Sequence, residues 1–393
     1  MKIYEIGTGY TSIPATISAA TEIVIEQLTK ELIKQNADVT IVDIFDDNRS
    51  ETNLPITEVK IPKKIASTDT QLGVFHKLKR VIYSVSLSQK LKKILKDEKD
   101  KVVFHFHNQY NMFFFMRLVP KRLRKKCITA YTNHSGIWRL DWSETEKTLK
   151  IRYFQEADCM KKADILYLLN DETKENVIEH LGVDENKIVR ISNGVNTEIY
   201  KPLPETEKHK IKEKYGLTDK KVILQVGSVY ENKGQLRAIK LLLPVMKAIP
   251  NLVYLYAGGI VSEEYQNQIN EFVKGNNIEN QVRYLGMLSP GKELNELYNT
   301  AAATVFPSQY EAFGLVVIEA MSAGIPVLIN DCSTFTFGEG CIHYNDKTFA
   351  DTVNTLINSN DCDAYYSDAR RNAENNYSWA RVAKDYLKSW NNS

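Results

Sequence analysis

Runs of β-branched and aromatic residues recur along almost the whole chain, each too short for a helix and nearly free of polar residues. In the first half they occupy residues 2–6, 39–44, 102–106, 127–131, 165–169 and 188–191. In the second half they occupy residues 222–226, 252–256, 282–285, 304–306 and 326–329. A strand without a polar face must be covered on both sides, so these runs predict parallel sheets between layers of helix. Amphipathic stretches at 19–34, 235–247, 263–274 and 315–323 supply that cover. The β-α-β-α order occurs twice, in blocks each long enough for its own core, which predicts an α/β protein of two domains.

The boundary between the blocks is legible. Ser192-Asn193-Gly194-Val195-Asn196 ends the first, and the polar, proline-containing stretch Lys201-Pro202-Leu203-Pro204-Glu205 follows before the next strand. Proline and charge with little apolar content mark a linker. The expected division is 1–192, 193–375 and a terminal amphipathic helix within 376–393, packing back on the first domain.

Composition excludes several classes. Across 393 residues, 43% hydrophobic and 25% charged content suit a soluble globular protein, and a net charge of +2 excludes a polycationic nucleic-acid coat. The five cysteines (Cys127, Cys159, Cys332, Cys341, Cys362) are widely spaced and contain no Cys-x-x-Cys pair. They argue against a disulfide framework or zinc ribbon and for a reducing cytosol. No apolar stretch reaches the ~18 residues of a membrane span. Met1-Lys2-Ile3-Tyr4-Glu5-Ile6-Gly7 reads as a strand and not as a targeting segment. A cytoplasmic protein without a nucleic-acid partner is the expectation.

Gly7-Thr8-Gly9 follows the first strand, but Ser12 stands where a dinucleotide fingerprint needs its third glycine and Pro14 interrupts the helix start. The richer segment is 306–327. There a strand ends at Phe306, a loop carries Glu311, a helix begins at Gly314–Leu315, and Gly324 closes it. Unsatisfied N–H groups at Phe313, Gly314 and Leu315 form an anion site at that helix start. Glu319 interrupts an otherwise apolar helix face, where a carboxylate is costly without a partner. Two carboxylates flanking an anion site can accept hydrogen bonds from pairs of sugar hydroxyls.

Glu-x7-Glu within PSQYEAFGLVVIEAMSAGIPVL closely resembles the donor-site motif of the retaining GT-B glycosyltransferases of family GT4. The resemblance extends through ISNGVNTEIYKP (the family's inter-domain segment), VGSVYENKG (its phosphate loop), VRYLGMLS (its base-binding turn) and YSWARVAKDYL (its terminal helix). It implies two Rossmann-like domains with parallel sheets facing across a cleft. A nucleotide-sugar would be held mainly by the second domain and an acceptor mainly by the first. Carried over, Glu311 holds donor-sugar hydroxyls and Glu319 the ribose. Backbone at Phe313, Gly314 and Leu315 meets sugar and phosphate, backbone at Met287 and Leu288 meets the base, and Lys233 pairs with the diphosphate. His134 resembles the family's cleft histidine that bonds the donor sugar. Two positions depart from the pattern. Ser228 stands where the family has arginine, with Arg237 one turn beyond Lys233, and Ser18-Ala19-Ala20-Thr21-Glu22 replaces a Gly-Gly pair.

The resemblance implies retaining transfer of a hexose-type unit, UDP-linked by default, to a glycan or glycolipid in surface polysaccharide synthesis. No permanently bound cofactor and no metal are expected, because Asp361-Cys362-Asp363 lies in a late polar stretch and reads as chance. A nucleotide-sugar epimerase and a non-catalytic partner of an active transferase are the alternatives. His105 and His107 read as structural. Basic residues (Lys77, Lys79, Arg80, Lys90, Lys92, Lys93, Lys96) lie among Val74, Phe75, Val81, Ile82, Tyr83, Leu87 and Leu91. Arg117, Lys121, Arg122, Arg124, Lys125 and Lys126 follow the run Met112-Phe113-Phe114-Phe115-Met116. Such a face fits either an anionic membrane surface or a solvated helix over an ordinary core.

Overall fold

A computed structural model describes residues 1–14, 19–62, 65, 74–139, 151–331, 337–358 and 363–392. Ser18, Cys332, Asp361 and Cys362, and the side chains of Val74, Phe75 and Asp363, lie outside the described residues. Two compact units emerge. The first comprises Met1–Asn193 with Trp379–Ser393, and the second Gly194–Ser378.

In the first unit the described strands are β1 (Ile3–Ile6), β2 (Val39–Ile44), β3 (Ile56–Val59), β4 (Val102–Phe106), β5 (Cys127–Thr132), β6 (Ile165–Leu168) and β7 (Ile188–Arg190). All pair in parallel in the order β3-β2-β1-β4-β5-β6-β7. Helices α1 (Ala20–Lys34), α2 (Val74–Asp97), α3 (Gln109–Leu118), α4 (Phe154–Lys162) and α5 (Asp171–Leu181) connect them. Short polar side chains start two of these helices: Asn108 accepts from the Tyr110 amide and Asn170 from the Thr173 amide, filling otherwise orphan donors. Gly182, at φ 66°, closes α5 where a side chain would be strained.

The core on one side of this sheet is apolar, with Ile6, Phe104, Phe106, Leu87, Leu91, Met112 and Phe115 fully buried. Phe113 is also buried and Met116 packs partly against the same cluster. The run 112–116 therefore packs into an ordinary core, one of the two readings open for it from the sequence. The basic residues beside it are also partly engaged. Lys79 is buried with Nζ on the Tyr10 carbonyl at 3.1 Å, Arg117 pairs with Asp158 at 2.9 Å, and Lys126 Nζ bonds the Leu95 carbonyl at 2.7 Å. Among the described residues, no helix is long and apolar enough to cross a membrane.

The second unit repeats the design with β8 (Lys221–Val226), β9 (Leu252–Ala257), β10 (Val282–Tyr284), β11 (Ala303–Phe306), β12 (Val327–Asn330) and β13 (Cys341–Tyr344). Their order is β10-β9-β8-β11-β12-β13, again parallel throughout. Helices α6 (Glu205–Lys214), α7 (Gln235–Ala248), α8 (Glu263–Gly275), α9 (Lys292–Tyr298), α10 (Leu315–Ser322), α11 (Phe349–Asn358) and α12 (Asp363–Asn372) pack around it.

The last helix, α13 (Trp379–Asn391), returns to the first unit. Its buried residues Trp379, Val382, Ala383, Tyr386 and Trp390 follow helical spacing. Tyr386 lies edge-on to Tyr167 at 4.6 Å and tilted against His105 at 5.0 Å, and Trp390 lies 5.6 Å from His105. The chain thus crosses between units at 193–194 and again at 378–379.

Candidate functional site

Open parallel sheets gather ligands beyond the carboxyl ends of their strands, because the connecting loops and helix N-termini converge there. In the second unit β8 ends at Val226 and leads into Gly227, Ser228 and the one-turn helix Glu231–Lys233. Gly227 has φ 153° and Gly258 φ 150°. A side chain on Gly258 would come within 2.0 Å of the Gly227 carbonyl, so glycine there lets the loops after β8 and β9 touch. The Gly258 amide donates to the Gly286 carbonyl at 2.8 Å, adding the segment that follows β10. That segment carries Met287 and Leu288, and the Met287 side chain is 73% exposed. The Ser228 amide has no acceptor among the described residues, and its carbonyl accepts from Gln235 at 2.9 Å.

Lys233 and Glu311 come from different loops, and the structure brings them into direct contact as an ion pair. Burial pushes the Lys233 ammonium down to about 8, and the carboxylate it touches pulls the other way. Asn232 joins the two loops. Its amide nitrogen donates to the Tyr310 carbonyl at 2.8 Å, its oxygen accepts from the Tyr310 amide at 3.1 Å, and its carbonyl accepts from the Gln309 amide at 3.1 Å. Gly234, at φ 70°, lies close enough to Pro307 that an added Cβ would sit 3.1 Å from the Pro307 carbonyl. From below, buried Gln225 donates to the Lys233 carbonyl at 2.7 Å and accepts from the Tyr254 hydroxyl at 2.5 Å. Asn232 and Gln225 were not singled out by sequence. Their only trace there was a place beside the Lys233-Gly234 turn and on strand β8.

Gly314, at φ 91°, starts α10 in a conformation that L side chains rarely adopt. Phe313 is buried against Phe337 at 5.5 Å and Tyr377 at 6.2 Å, which anchors the start of the helix. The amides of Phe313, Gly314 and Leu315 have no acceptor among the described residues, so three donors converge at the helix's positive end. One turn in, Glu319 accepts from the Tyr298 hydroxyl at 3.1 Å, and the Tyr200 hydroxyl is its second partner. Both partners are neutral, so burial dominates and pushes the Glu319 carboxyl up to about 7. Arg237 pairs with Asp346 at 2.6 Å, which directs its charge toward the turn after β13.

His134 belongs to the first unit, just past β5. Its Nε2 lies 3.0 Å from His107 Nδ1, and His107 Nε2 lies 2.8 Å from Glu5 Oε2. Glu5 also receives His105 Nδ1 at 3.0 Å, while His105 Nε2 meets Thr132 Oγ1 at 2.7 Å. Although burial raises Glu5, His105 and His107 together bring its carboxyl down to about 2. Burial, with His105 alongside, pushes His107 down to about 4, and burial also holds His134 well below the usual range. His107, read as structural from the sequence, is buried and touches the candidate site residue His134. Nearby, Glu156 accepts from Asn133 at 2.7 Å, Trp138 Nε1 at 2.8 Å and the Tyr131 hydroxyl at 3.2 Å, and burial still pushes it up to about 7. His134, Glu156, Gln109 and Tyr153 are among the residues lining a cavity of about 240 Å³.

Among the described residues, Glu5, His105 and His107 form a group with metal-ligand composition, their ligand atoms lying within 4.8 Å of one another. Those atoms already serve one another as donor and acceptor, so a cation there would have to break each bond. At the start of α1, Glu22 is buried and bonds the Thr8 hydroxyl.

Comparison with known proteins sets these sites in a family. The family model described as Glycosyltransferase Family 4 matches residues 21–199, and that described as Glycosyl transferases group 1 matches residues 207–376. Mannosylfructose-phosphate synthase of Agrobacterium fabrum is 27% identical over 51% of this chain, and the match spans about half of that protein, 47%. Alpha-galactosylglucosyldiacylglycerol synthase of Streptococcus pneumoniae is 23% identical over 77% of this chain and 78% of that protein. The crystal structure of Anabaena HepE in complex with UDP shares the fold along 100% of both chains, with a TM-score of 0.75 at 15% identity. With one family model over each parallel sheet and the GT-B fold shared end to end, this chain belongs to the group 1 glycosyltransferases of family 4.

Proposed function

We propose that this protein is a retaining glycosyltransferase that moves a sugar from a nucleotide-sugar, UDP-linked, to a hydroxyl of a glycan or glycolipid acceptor. The observation that carries the reading is the Lys233–Glu311 contact, made across two loops that Asn232 ties together. In this reading the donor's diphosphate takes over the Lys233 ammonium and the free amides of Phe313, Gly314 and Leu315. Glu311, released from Lys233, accepts hydrogen bonds from sugar hydroxyls. The Glu319 carboxylate orients the ribose, and backbone at Met287 and Leu288 meets the base. The Ser228 amide faces the phosphate in place of the family's arginine.

The bond from the sugar's anomeric carbon to the diphosphate oxygen breaks, and the bond to the acceptor oxygen forms on the same face. The acceptor's proton passes to the departing diphosphate oxygen. Lys233 stabilises the charge growing there, a role whose loss typically costs about 3–4 kcal/mol of transition-state stabilisation. The reading needs no metal and no resident cofactor, and it places polysaccharide or glycoconjugate synthesis at a cytoplasmic surface. UDP is favoured by the UDP-bound state of the Anabaena neighbour. A lipid-linked acceptor is favoured by the glycolipid product that names the Streptococcus relative. Peripheral contact with an anionic membrane would rest on exposed Lys121, Arg122 and Lys125 beside exposed Leu118.

Calorimetric titration of UDP and GDP, followed by a screen of nucleotide-sugars with and without acceptor, tests the reading. Binding of one nucleotide and sugar release that depends on acceptor are expected. Conversion of the nucleotide-sugar without acceptor would mark an epimerase, and failure to bind any nucleotide would mark a non-catalytic scaffold. Absence of liposome flotation at low salt would remove the membrane component alone.

A further inference from the structure

The first unit's histidine chain fixes protons as well as positions. Glu5 sits on β1 and is paired in register with His105 on β4, and His107 lies two residues on, so all three point to one face of the sheet. Glu5 and His105 are fully buried and His107 nearly so, whereas His134 is partly exposed.

A carboxylate only accepts, so the 2.8 Å contact between Glu5 Oε2 and His107 Nε2 requires an N–H on that nitrogen. His107 is neutral near pH 7 because burial holds it at about 4, which leaves its Nδ1 as a bare lone pair. The 3.0 Å contact between that lone pair and His134 Nε2 then requires the proton to be on His134 Nε2. His134 is neutral as well, so its Nδ1 carries a lone pair, and that atom has no partner among the described residues. Gln109 also lines this cavity, and its Oε1 is buried without a hydrogen-bond partner among the described residues. The unpaired acceptor on His134 suits a ligand that donates a hydroxyl proton.

We propose that Glu5 and His107 are positioning residues that hold His134 in its Nε2–H tautomer, so that Nδ1 accepts a hydrogen bond from a hydroxyl of a polyol ligand in the 240 Å³ cavity. The proposal rests on the glycosyltransferase reading for the identity of the polyol, but the tautomer does not depend on that reading. Reversing the chain would present an N–H to the ligand and repel the hydroxyl proton. The relay is thus a discriminator between a hydroxyl and a bare acceptor group at that position.

Two-bond proton–nitrogen spectra of the full-length protein labelled at histidine nitrogen read the tautomer directly, with His134 assigned from a His134→Gln variant. At pH 7 the wild type is expected to show a protonated Nε2 and a bare Nδ1 on His134. A protonated Nδ1, a doubly protonated ring, or metal-shifted nitrogens on His107 in the purified protein would overturn the proposal. Glu5→Gln is expected to convert the His134 signals to a mixture of tautomers. It should also lower kcat about 10- to 100-fold, the usual scale for residues acting through a first contact. UDP affinity should stay within about twofold of wild type, since the nucleotide sites lie in the other unit. An unchanged tautomer and unchanged kcat in Glu5→Gln would also overturn it. Correct wild-type tautomer and redistribution in Glu5→Gln, in a protein that transfers no sugar, would uphold the relay and reject the transferase reading.

Discussion

In the first unit one buried carboxylate, Glu5, sits on a strand. Glu5 on β1 receives one imidazole from β4 and one from the residue just past it, and the network is complete without a ligand up to His134. In the second unit charge sits on loops and a helix turn. Lys233 and Glu311 neutralise each other across two loops, and Glu319 has only phenol partners. The two carboxyls show the difference numerically, one held at about 2 and the other pushed to about 7. A strand-borne network is as rigid as its sheet and suits positioning. Loop-borne groups with exchangeable partners suit a ligand that must enter and leave.

The contrast breaks first if Glu5→Ala is mild. Removing one partner of a buried charged network should cost about 3–5 kcal/mol, read from urea unfolding. A loss near that of a surface substitution would mean that Glu5 is not what holds the histidines. Next, Lys233→Ala should lower kcat/KM about 10²- to 10³-fold. The same variant should lose less stability than Glu5→Ala, because Lys233 and Glu311 are loop-borne and each keeps some exposure to water. If stability falls in step with activity, the second unit's ion pair is structural and the distinction between the units disappears.

A finer test uses pH. The folded Glu319 carboxyl, raised from 4.5 to about 7, keeps its proton longer than the unfolded chain does. Stability therefore falls as pH rises from 4.5 to about 7 and levels off above, by up to about 3 kcal/mol. Glu319→Gln should flatten that part of the pH–stability curve. If the ribose requires the carboxylate, UDP should bind about tenfold more tightly at pH 8 than at pH 6, following the ionised fraction. A pH-independent affinity would show that Glu319 does not meet the nucleotide. The smallest effect belongs to Asn232→Ala, which deletes two partly exposed hydrogen bonds between loops. About 1 kcal/mol of stability and a severalfold rise in donor KM are expected, with kcat nearly kept. A fall in kcat as large as that of Lys233→Ala would mean that the loops cannot hold the ion pair without it.

The interior strands were legible because both faces are covered and their residues are almost wholly apolar. Residues 39–44 and 102–106 fall on β2 and β4 without offset. The edge strands β3, Ile-Thr-Glu-Val, and β13, Cys-Ile-His-Tyr, escaped notice. An edge strand is half open to water and carries polar residues that a search for apolar runs passes over. In the second unit Lys233, Glu311, Gly314 and Glu319 could be named because they stand in contiguous segments that resemble a family motif, the last of them one turn into α10. The Glu5–His107–His134 chain could not. Its members come from β1, β4 and the end of β5, and only sheet register brings them together. Glu5 looked like a lone acid in an apolar strand, which is the one clue the sequence held.

The return of α13 to the first unit bears on how the protein is made. A ribosome releases the first sheet early, yet Tyr386 and Trp390, which roof His105, emerge only after the entire second unit has been translated. Until then the face bearing Glu5 and His105 is wet, and its proton arrangement has no dry surroundings to enforce it. The residues of the second sheet are all translated before that roof, so the cover over His105 is added last.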